Sequence, residues 1–311
     1  MRGGRAAPFL CAPALVVALT SCTIPTGDRG DAAEDAPVSA TTSREATPWV
    51  TGDTPTTSRA PELQRAADRI SAAAVGDGGV GVALDDGRDT VTAGTVLTGP
   101  AWSTVKIPVS MAVLFHGAGD KDIAETVDRA VTSSDNAAFD TLWYSLGGGA
   151  DAATATEMIL RRAGDDTTVT PEITRPGFSA AGQTPWALSD QAGFAQRLTC
   201  VPGAGAVLTA MNGIVDDQSY GLGRVPDLPF KGGWGPDENG DYLVRQFGVL
   251  RTPGGHLGVA LAVRPDDGTY DTGREMLDRM ARALQTEIDA GTFVDAAECE
   301  PESPPEDSSR P

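Results

Sequence analysis

The sequence predicts an α+β fold, in which one antiparallel sheet is covered by the helices at the two ends of the folded region and a helical lobe is inserted in the middle. Apolar runs typical of strands occur near both ends of that region, and several helical stretches lie between them. The outermost segments have apolar residues at helical spacing. These positions are Leu63, Ala66, Ala67 and Ile70 at one end and Met276, Leu277, Met280 and Leu284 at the other.

The individual elements follow in chain order. Pro61 is typical of the first turn of a helix, where its missing N–H has no partner to lose, and it predicts a helix over 62–75. The turn sequence Asp85-Asp86-Gly87 predicts a hairpin of strands over 80–84 and 90–96. Further helices are expected over 103–116, 123–132, 137–146, 150–162, 188–199, 205–211 and 273–290, and strands over 228–233, 242–250 and 257–263.

The composition excludes several classes of function. The formal net charge of −19 argues against binding to nucleic acid and against electrostatic docking to anionic lipid. The only histidines, His116 and His256, are not at metal-ligand spacing from each other or from a cysteine, so no zinc site is predicted. No sequence feature implies a cofactor, and a monomer is expected.

The N-terminus is predicted to be a targeting segment. Arg2 and Arg5 precede an apolar run over 9–19, which is too short to remain as a membrane span. The run ends at Ser21-Cys22 and resembles a bacterial lipoprotein signal, which predicts a signal peptide over 1–21 and a lipid-modified Cys22. The chain would then be anchored at the extracytoplasmic face of the bacterial cell membrane. A plain secretory signal with an incidental cysteine is the alternative.

Two segments lack the apolar residues needed to order themselves. Residues 22–59 are rich in Thr, Asp, Pro, Ser and Ala, and predict a disordered tether. Residues 296–311 are acidic and rich in proline, and predict a disordered tail. The ordered domain is therefore expected over 60–295.

The four cysteines are assigned by compartment. Cys11 leaves with the signal peptide and Cys22 takes the lipid, so Cys200 and Cys299 remain. An even pair in an oxidising compartment predicts a disulfide bond, with two unpaired thiols as the alternative.

Three short runs contain the residues that predict chemistry. In Ser103-Thr104-Val105-Lys106, the serine and the lysine share one face of a helix, and the amine can take the hydroxyl proton. Ser134-Asp135-Asn136 follows between two predicted helices, where Asp135 is expected to cap the second one. Lys231-Gly232-Gly233-Trp234 then falls at the end of an apolar strand. Each run alone also fits an ordinary cap, turn or surface lysine.

Together, the order of these runs resembles that of the class A β-lactamases and related penicillin-binding serine hydrolases, over most of residues 60–295. The resemblance implies that Ser103 is the nucleophile and Lys106 its base or proton relay. It implies that Ser134 passes a proton to the leaving nitrogen, and that Asn136 binds Lys106 or the substrate amide.

The same resemblance implies a set of substrate contacts. Lys231 would face a substrate carboxylate and hold the Ser134 hydroxyl, while Gly233 would let the substrate lie against the strand. The N–H groups of Trp234 and Ser103 would form an oxyanion hole. Arg245, on the following strand, would add a bidentate anion contact or else be an ordinary surface arginine.

Two departures from the family pattern affect the expected function. Gly232 stands where the family has Thr or Ser, and no E-x-x-L-N run is present between 162 and 188. Glu172 lies at a plausible distance after Ser134, but the residues around it do not match the family's loop, and it is expected to be a solvated loop residue. The prediction is a serine hydrolase that forms an acyl-enzyme on Ser103 with a β-lactam, a peptidoglycan peptide, an amide or an ester, with poor β-lactam turnover. The alternative is a catalytically idle lipoprotein that binds a cell-wall or protein partner.

Overall fold

The computed structural model describes residues 59–117 and 121–299. The predicted signal peptide, the lipidation site at Cys22, almost all of the tether and residues 300–311 lie outside the described residues. Within the described residues, no helix has both the length and the apolar character that a membrane crossing requires.

The centre of the fold is a five-stranded antiparallel sheet with the order β2-β1-β7-β6-β5. The first and last strands of the chain pair directly, from Gly78 opposite Pro265 to Asp85 opposite Gly258. Strand β5 forms one edge of the sheet, and there it pairs only with β6. The strands are β1 Gly78–Asp85, β2 Thr90–Gly94, β5 Phe230–Pro236, β6 Tyr242–Arg251 and β7 His256–Pro265.

Helices cover both faces of this sheet. On one face lie α1 (Ala60–Ala72) and α8 (Tyr270–Asp289), where Val244 of β6 packs against the first turn of α8. On the other face lies α6 (Leu188–Arg197), which approaches so closely that a Cβ on Gly258 would lie 1.9 Å from one of its carbonyl oxygens. Val244 and Gly258 point to opposite faces because strand side chains alternate.

The remaining helices form the lobe inserted between β2 and β5. Helix α2 runs through its centre and is buried from Lys106 to Val113. A 3₁₀ turn over Trp102–Val105 leads into it. The lobe contains α2 Lys106–Gly117, α3 Lys121–Thr132, α4 Asn136–Ser145, α5 Gly149–Arg162 and α7 Ala204–Asn212.

The predicted α+β class, with an antiparallel sheet, terminal helices and an inserted helical lobe, is confirmed. The sequence did not predict a second sheet of two short strands, β3 (Thr98–Pro100) and β4 (Pro185–Ala187). Three residues are too few to show an alternating pattern. This small sheet joins the start of the lobe to the segment that precedes α6.

The predicted boundary of the tail at residue 296 lies too early. Ala296 is buried, and the Ala297 backbone donates to Asp86 O at 2.7 Å and accepts from His256 N at 3.1 Å. The predicted disulfide between Cys200 and Cys299 is present and fixes the last described residue to the end of α6. Main-chain hydrogen bonds, which composition does not reveal, therefore order the chain as far as Cys299.

Replacing both Cys200 and Cys299 by serine should lower the free energy of unfolding by about 2–4 kcal/mol, because the bond closes a long loop and restricts the unfolded chain. Urea unfolding of the variant and of the unmodified protein measures this difference. The unmodified protein with reductant should match the variant. Equal midpoints with and without reductant would show that the bond contributes no stability.

Candidate active site

Ser103 lies in a strained turn that is fixed against the sheet. It belongs to the 3₁₀ turn Trp102–Val105, and Trp102 before it has a left-handed φ of 50°. Such a conformation costs about 1–3 kcal/mol for a residue other than glycine. The Trp102 ring packs against the strand at Gly235, where a Cβ would lie 2.8 Å from it, and against the Phe178 ring at 5.1 Å. These contacts hold Trp102, and with it the start of the turn that contains Ser103.

Lys106 begins α2 and its amine is turned into the lobe. The side chain is only 2% exposed, and Nζ donates to Ser134 O at 2.5 Å and to Asn136 Oδ1 at 2.8 Å. Burial lowers the pKa of Lys106 to about 8, against the opposing charges of Asp135 and Asp140. A sizeable fraction of this amine is therefore neutral near pH 8 and able to accept a proton.

In the loop before α4, Ser134 contacts two lysine amines and Asp135 caps the helix. Ser134 has a left-handed φ of 56°, which gives its carbonyl oxygen to Lys106 and its hydroxyl to Lys231. Asp135 caps α4, with Oδ1 accepting from the backbone N–H groups of Ala137 and Ala138 at 2.8 and 3.0 Å. The cap fixes Asn136 as the first residue of the helix.

Lys231 lies on β5 with no exposed surface. Its amine donates to Ser134 Oγ and to Gly232 O. Burial, and then the charge of Lys106, lower its pKa well below the usual value for a lysine. Lys231 is wholly buried, and its amine contacts the Ser134 hydroxyl rather than solvent.

Gly233 is the point where the sheet touches the Ser103 turn. A Cβ on Gly233 would lie 2.9 Å from both Ala101 O and Ser103 N, so only glycine fits there. The next residue, Trp234, stacks on Tyr270 with ring centroids 5.3 Å apart. The β5 backbone therefore runs directly beside the amide of Ser103.

A cavity of about 480 Å³ lies between the lobe and β5. The predicted residues Ser103, Lys106, Ser134, Asn136 and Trp234 all line it. A larger cavity of about 710 Å³ lies between α7 and the ends of β5 to β7. No residue of the three short runs lines it, although Phe230, the residue before Lys231, does. The rest of the first cavity is lined by Trp102, Val105, Phe139, Asp140, Tyr144, Ile173, Gly177, Phe178, Ser179 and Gly182.

The segment 171–183 forms one wall of this cavity and is fixed to the end of β5. Arg175 donates to Pro236 O at 2.5 Å and to Asp237 O at 3.0 Å, and its guanidinium lies 4.3 Å from the centre of the Phe178 ring. Glu172, in the same segment, is exposed and does not line the cavity.

Arg245 does not bind a substrate anion, and the prediction that it adds such a contact is wrong. It is 1% exposed, which also excludes an ordinary surface arginine, and burial lowers its pKa to about 9. It lies opposite Gly233 in the sheet and points to the same face, into the protein. Its guanidinium donates to Gly99 O, Pro100 O, Trp186 O and Gln191 Oε1 at 2.7–3.1 Å.

This buried arginine nevertheless supports the site indirectly. Gln191, which accepts from Arg245, donates in turn to Thr104 Oγ1 at 3.0 Å, next to Ser103. The guanidinium therefore joins the small sheet and α6 to the turn that holds the serine. Among the described residues, no group of three or more His, Cys, Asp or Glu side chains could hold a metal ion.

Asp140, the acidic residue on the cavity wall, was not predicted from the sequence. It lies four residues after Asn136 on α4, a spacing that places both side chains on one helix face. That spacing was the only signal available in the sequence.

Gly233→Ala and Gly232→Ala form a matched pair that tests the contact between β5 and the Ser103 turn. The first variant should lose about 1–3 kcal/mol of unfolding free energy, because its Cβ overlaps backbone atoms. The second should change it by less than about 1 kcal/mol, because the nearest atom to its Cβ lies 3.7 Å away. Urea unfolding measures both, and equal losses would contradict the contact.

No protein-family model and no curated protein sequence matches the chain. Solved structures do match it. They include a class A β-lactamase from Bacteroides cellulosilyticus (TM-score 0.61, 16% identity, 74% of this chain and 99% of that one). A class A β-lactamase from Mycobacterium abscessus matches with a TM-score of 0.57 and 17% identity, over 72% of this chain and 99% of that one. A β-lactamase from Chitinophaga pinensis matches with a TM-score of 0.57 and 17% identity, over 73% of this chain and 99% of that one. The chain has the fold of the class A β-lactamases.

Proposed function

We propose that this protein is a serine hydrolase that forms an acyl-enzyme on Ser103. The observation that supports this most is the environment of Lys106, whose buried amine has a pKa lowered to about 8 and lines the same cavity as Ser103. A lysine that served only solubility would be exposed and fully charged.

Acylation would use groups that line the same cavity. The neutral Lys106 amine takes the proton of the Ser103 hydroxyl, and the oxygen attacks the substrate carbonyl carbon. The N–H groups of Ser103 and Trp234 donate to the oxyanion as it forms. The C–N bond of the tetrahedral intermediate, or the C–O bond of an ester, then breaks. Ser134 gives its hydroxyl proton to the leaving atom and is reprotonated from the adjacent lysine amines.

The cavity favours an acyl group with an apolar or aromatic portion. Trp102, Phe139, Tyr144 and Phe178 contribute rings to its wall. The substrate is a β-lactam, a peptidoglycan peptide, an amide or an ester. Slow turnover of β-lactams is expected because, among the described residues, no glutamate lines the cavity and Glu172 is exposed outside it.

We also propose that the protein acts as a monomer at the extracytoplasmic face of a bacterial membrane, held by a lipid on Cys22. The support is the sequence alone, with an arginine-flanked apolar run ending in Ser21-Cys22. The disulfide between Cys200 and Cys299 fits the same oxidising compartment.

Ser103→Ala should abolish covalent labelling by a penicillin, because the nucleophilic oxygen is removed. Intact-protein mass spectrometry over time detects the adduct, and hydrolysis of a chromogenic cephalosporin measures turnover. Ser71→Ala, on α1 away from the cavity, is the control and should label like the unmodified protein. Undiminished labelling of the Ser103 variant would place the nucleophile elsewhere. Absence of labelling in the unmodified protein, by a penicillin and by an activated ester, would favour the idle binding protein.

The acylation rate should rise with pH through about 8 and level off above it, because only the neutral Lys106 amine accepts a proton and its pKa lies near 8. Stopped-flow measurement of adduct formation between pH 6 and pH 10 tests this. Lys106→Met should react at least about 10²-fold more slowly and lose the inflection. A rate independent of pH in the unmodified protein would exclude Lys106 as the base.

A further inference from the structure

Hydrolysis of an acyl-enzyme needs a base that activates water near the ester carbonyl, and within the described part of the chain one acidic side chain is placed to act as that base. Among the described residues that line the cavity, Asp140 is the single carboxylate. It shares the cavity wall with Ser103 and Lys106. Glu172, the acidic residue closest in sequence to the expected loop position, is absent from that wall.

The position of Asp140 on α4 ties it to the catalytic residues. Asn136, one helical turn earlier on the same face, accepts a hydrogen bond from the Lys106 amine at 2.8 Å. The Asp140 charge is close enough to that amine to oppose the effect of burial on its pKa. The carboxylate therefore lies near the Lys106 amine and on the same cavity wall as Ser103.

The Asp140 carboxylate is also available to accept a hydrogen bond. Within residues 59–117 and 121–299, the Asp140 carboxylate makes no hydrogen bond and no ion pair, whereas the Asp135 carboxylate caps the start of the same helix. It lines a second, smaller cavity of about 170 Å³ as well, together with Ile173 and Ser179 of the segment 171–183. A water between α4 and that segment would find an open acceptor in Asp140.

We propose that Asp140 is the general base that deacylates Ser103, an inference that rests on the proposed acyl-enzyme. Asp140 removes a proton from water, and the oxygen of that water bonds to the acyl carbon. The tetrahedral intermediate then collapses, the bond from the acyl carbon to Ser103 Oγ breaks, and the proton passes from Asp140 to that oxygen. The product leaves as a carboxylic acid that ionises in solvent. In this chain, α4 supplies the base that the segment 171–183 lacks.

Adduct lifetime separates deacylation from acylation. Four proteins are each labelled with a penicillin and, separately, with a p-nitrophenyl ester. They are the unmodified protein, Asp140→Asn, Asp140→Glu and Glu172→Gln. Excess reagent is removed, and mass spectrometry follows loss of the adduct. Asp140→Asn should acylate at least as fast as the unmodified protein, since loss of the acidic charge favours neutral Lys106. Its adduct should last about 10²-fold longer.

The other variants are the controls. Glu172→Gln should leave the lifetime unchanged, and Asp140→Glu, which keeps a carboxylate, should shorten the lifetime relative to Asp140→Asn. Unfolding midpoints of all four proteins show whether a lost rate reflects a lost fold.

Two results would overturn the role of Asp140 while leaving the acyl-enzyme in place. One is an Asp140→Asn adduct that decays at the rate of the unmodified protein, and the other is an adduct of the unmodified protein that never decays. Failure of the unmodified protein to form any adduct with either reagent would instead remove the proposed function itself, and the role of Asp140 with it.

Discussion

Two lysine amines buried within reach of the same serine residue impose the main constraint on this structure. Burying a charged amine costs several kcal/mol unless hydrogen bonds replace its water. Lys106 and Lys231 meet that requirement at Ser134, one through the carbonyl oxygen and the other through the hydroxyl. Neither amine has a carboxylate partner among its hydrogen bonds. Burial in this arrangement lowers the pKa of both amines.

Much of the local geometry is needed to hold the two amines together. The left-handed backbone at Ser134 directs its two oxygens to different lysines, and the Asp135 cap fixes that backbone to α4. Gly233 allows β5 to approach the Ser103 turn. Arg245, also buried without a carboxylate partner, holds the same turn from behind through Gln191. The lobe and the sheet therefore meet through polar contacts as well as apolar packing.

Features that depend on neighbours along the chain were predictable from the sequence. Long helices and strands have a clear apolar period, and the three short runs are local patterns, so both were identified. Contacts between residues far apart in the chain were not predictable from the sequence. The direction of Arg245 depends on which face of β6 is covered, and the ordering of residues 296–299 depends on backbone bonds to β7 and the first hairpin. Asp140 is distinguished from other exposed helix acids only by the cavity beside it.

The pairing of β1 with β7 has a consequence for how the molecule is made. Strand β1 is among the first parts of the domain to be synthesised, yet its central neighbour is the last strand of the chain. The hairpins β1–β2, β5–β6 and β6–β7 are local and can form early, whereas the edge of β1 that pairs with β7 must wait for the end of the domain. That edge of β1 therefore stays unpaired until β7 has been made. An unpaired strand edge is a site of aggregation, so this edge must be protected until the two ends of the domain meet.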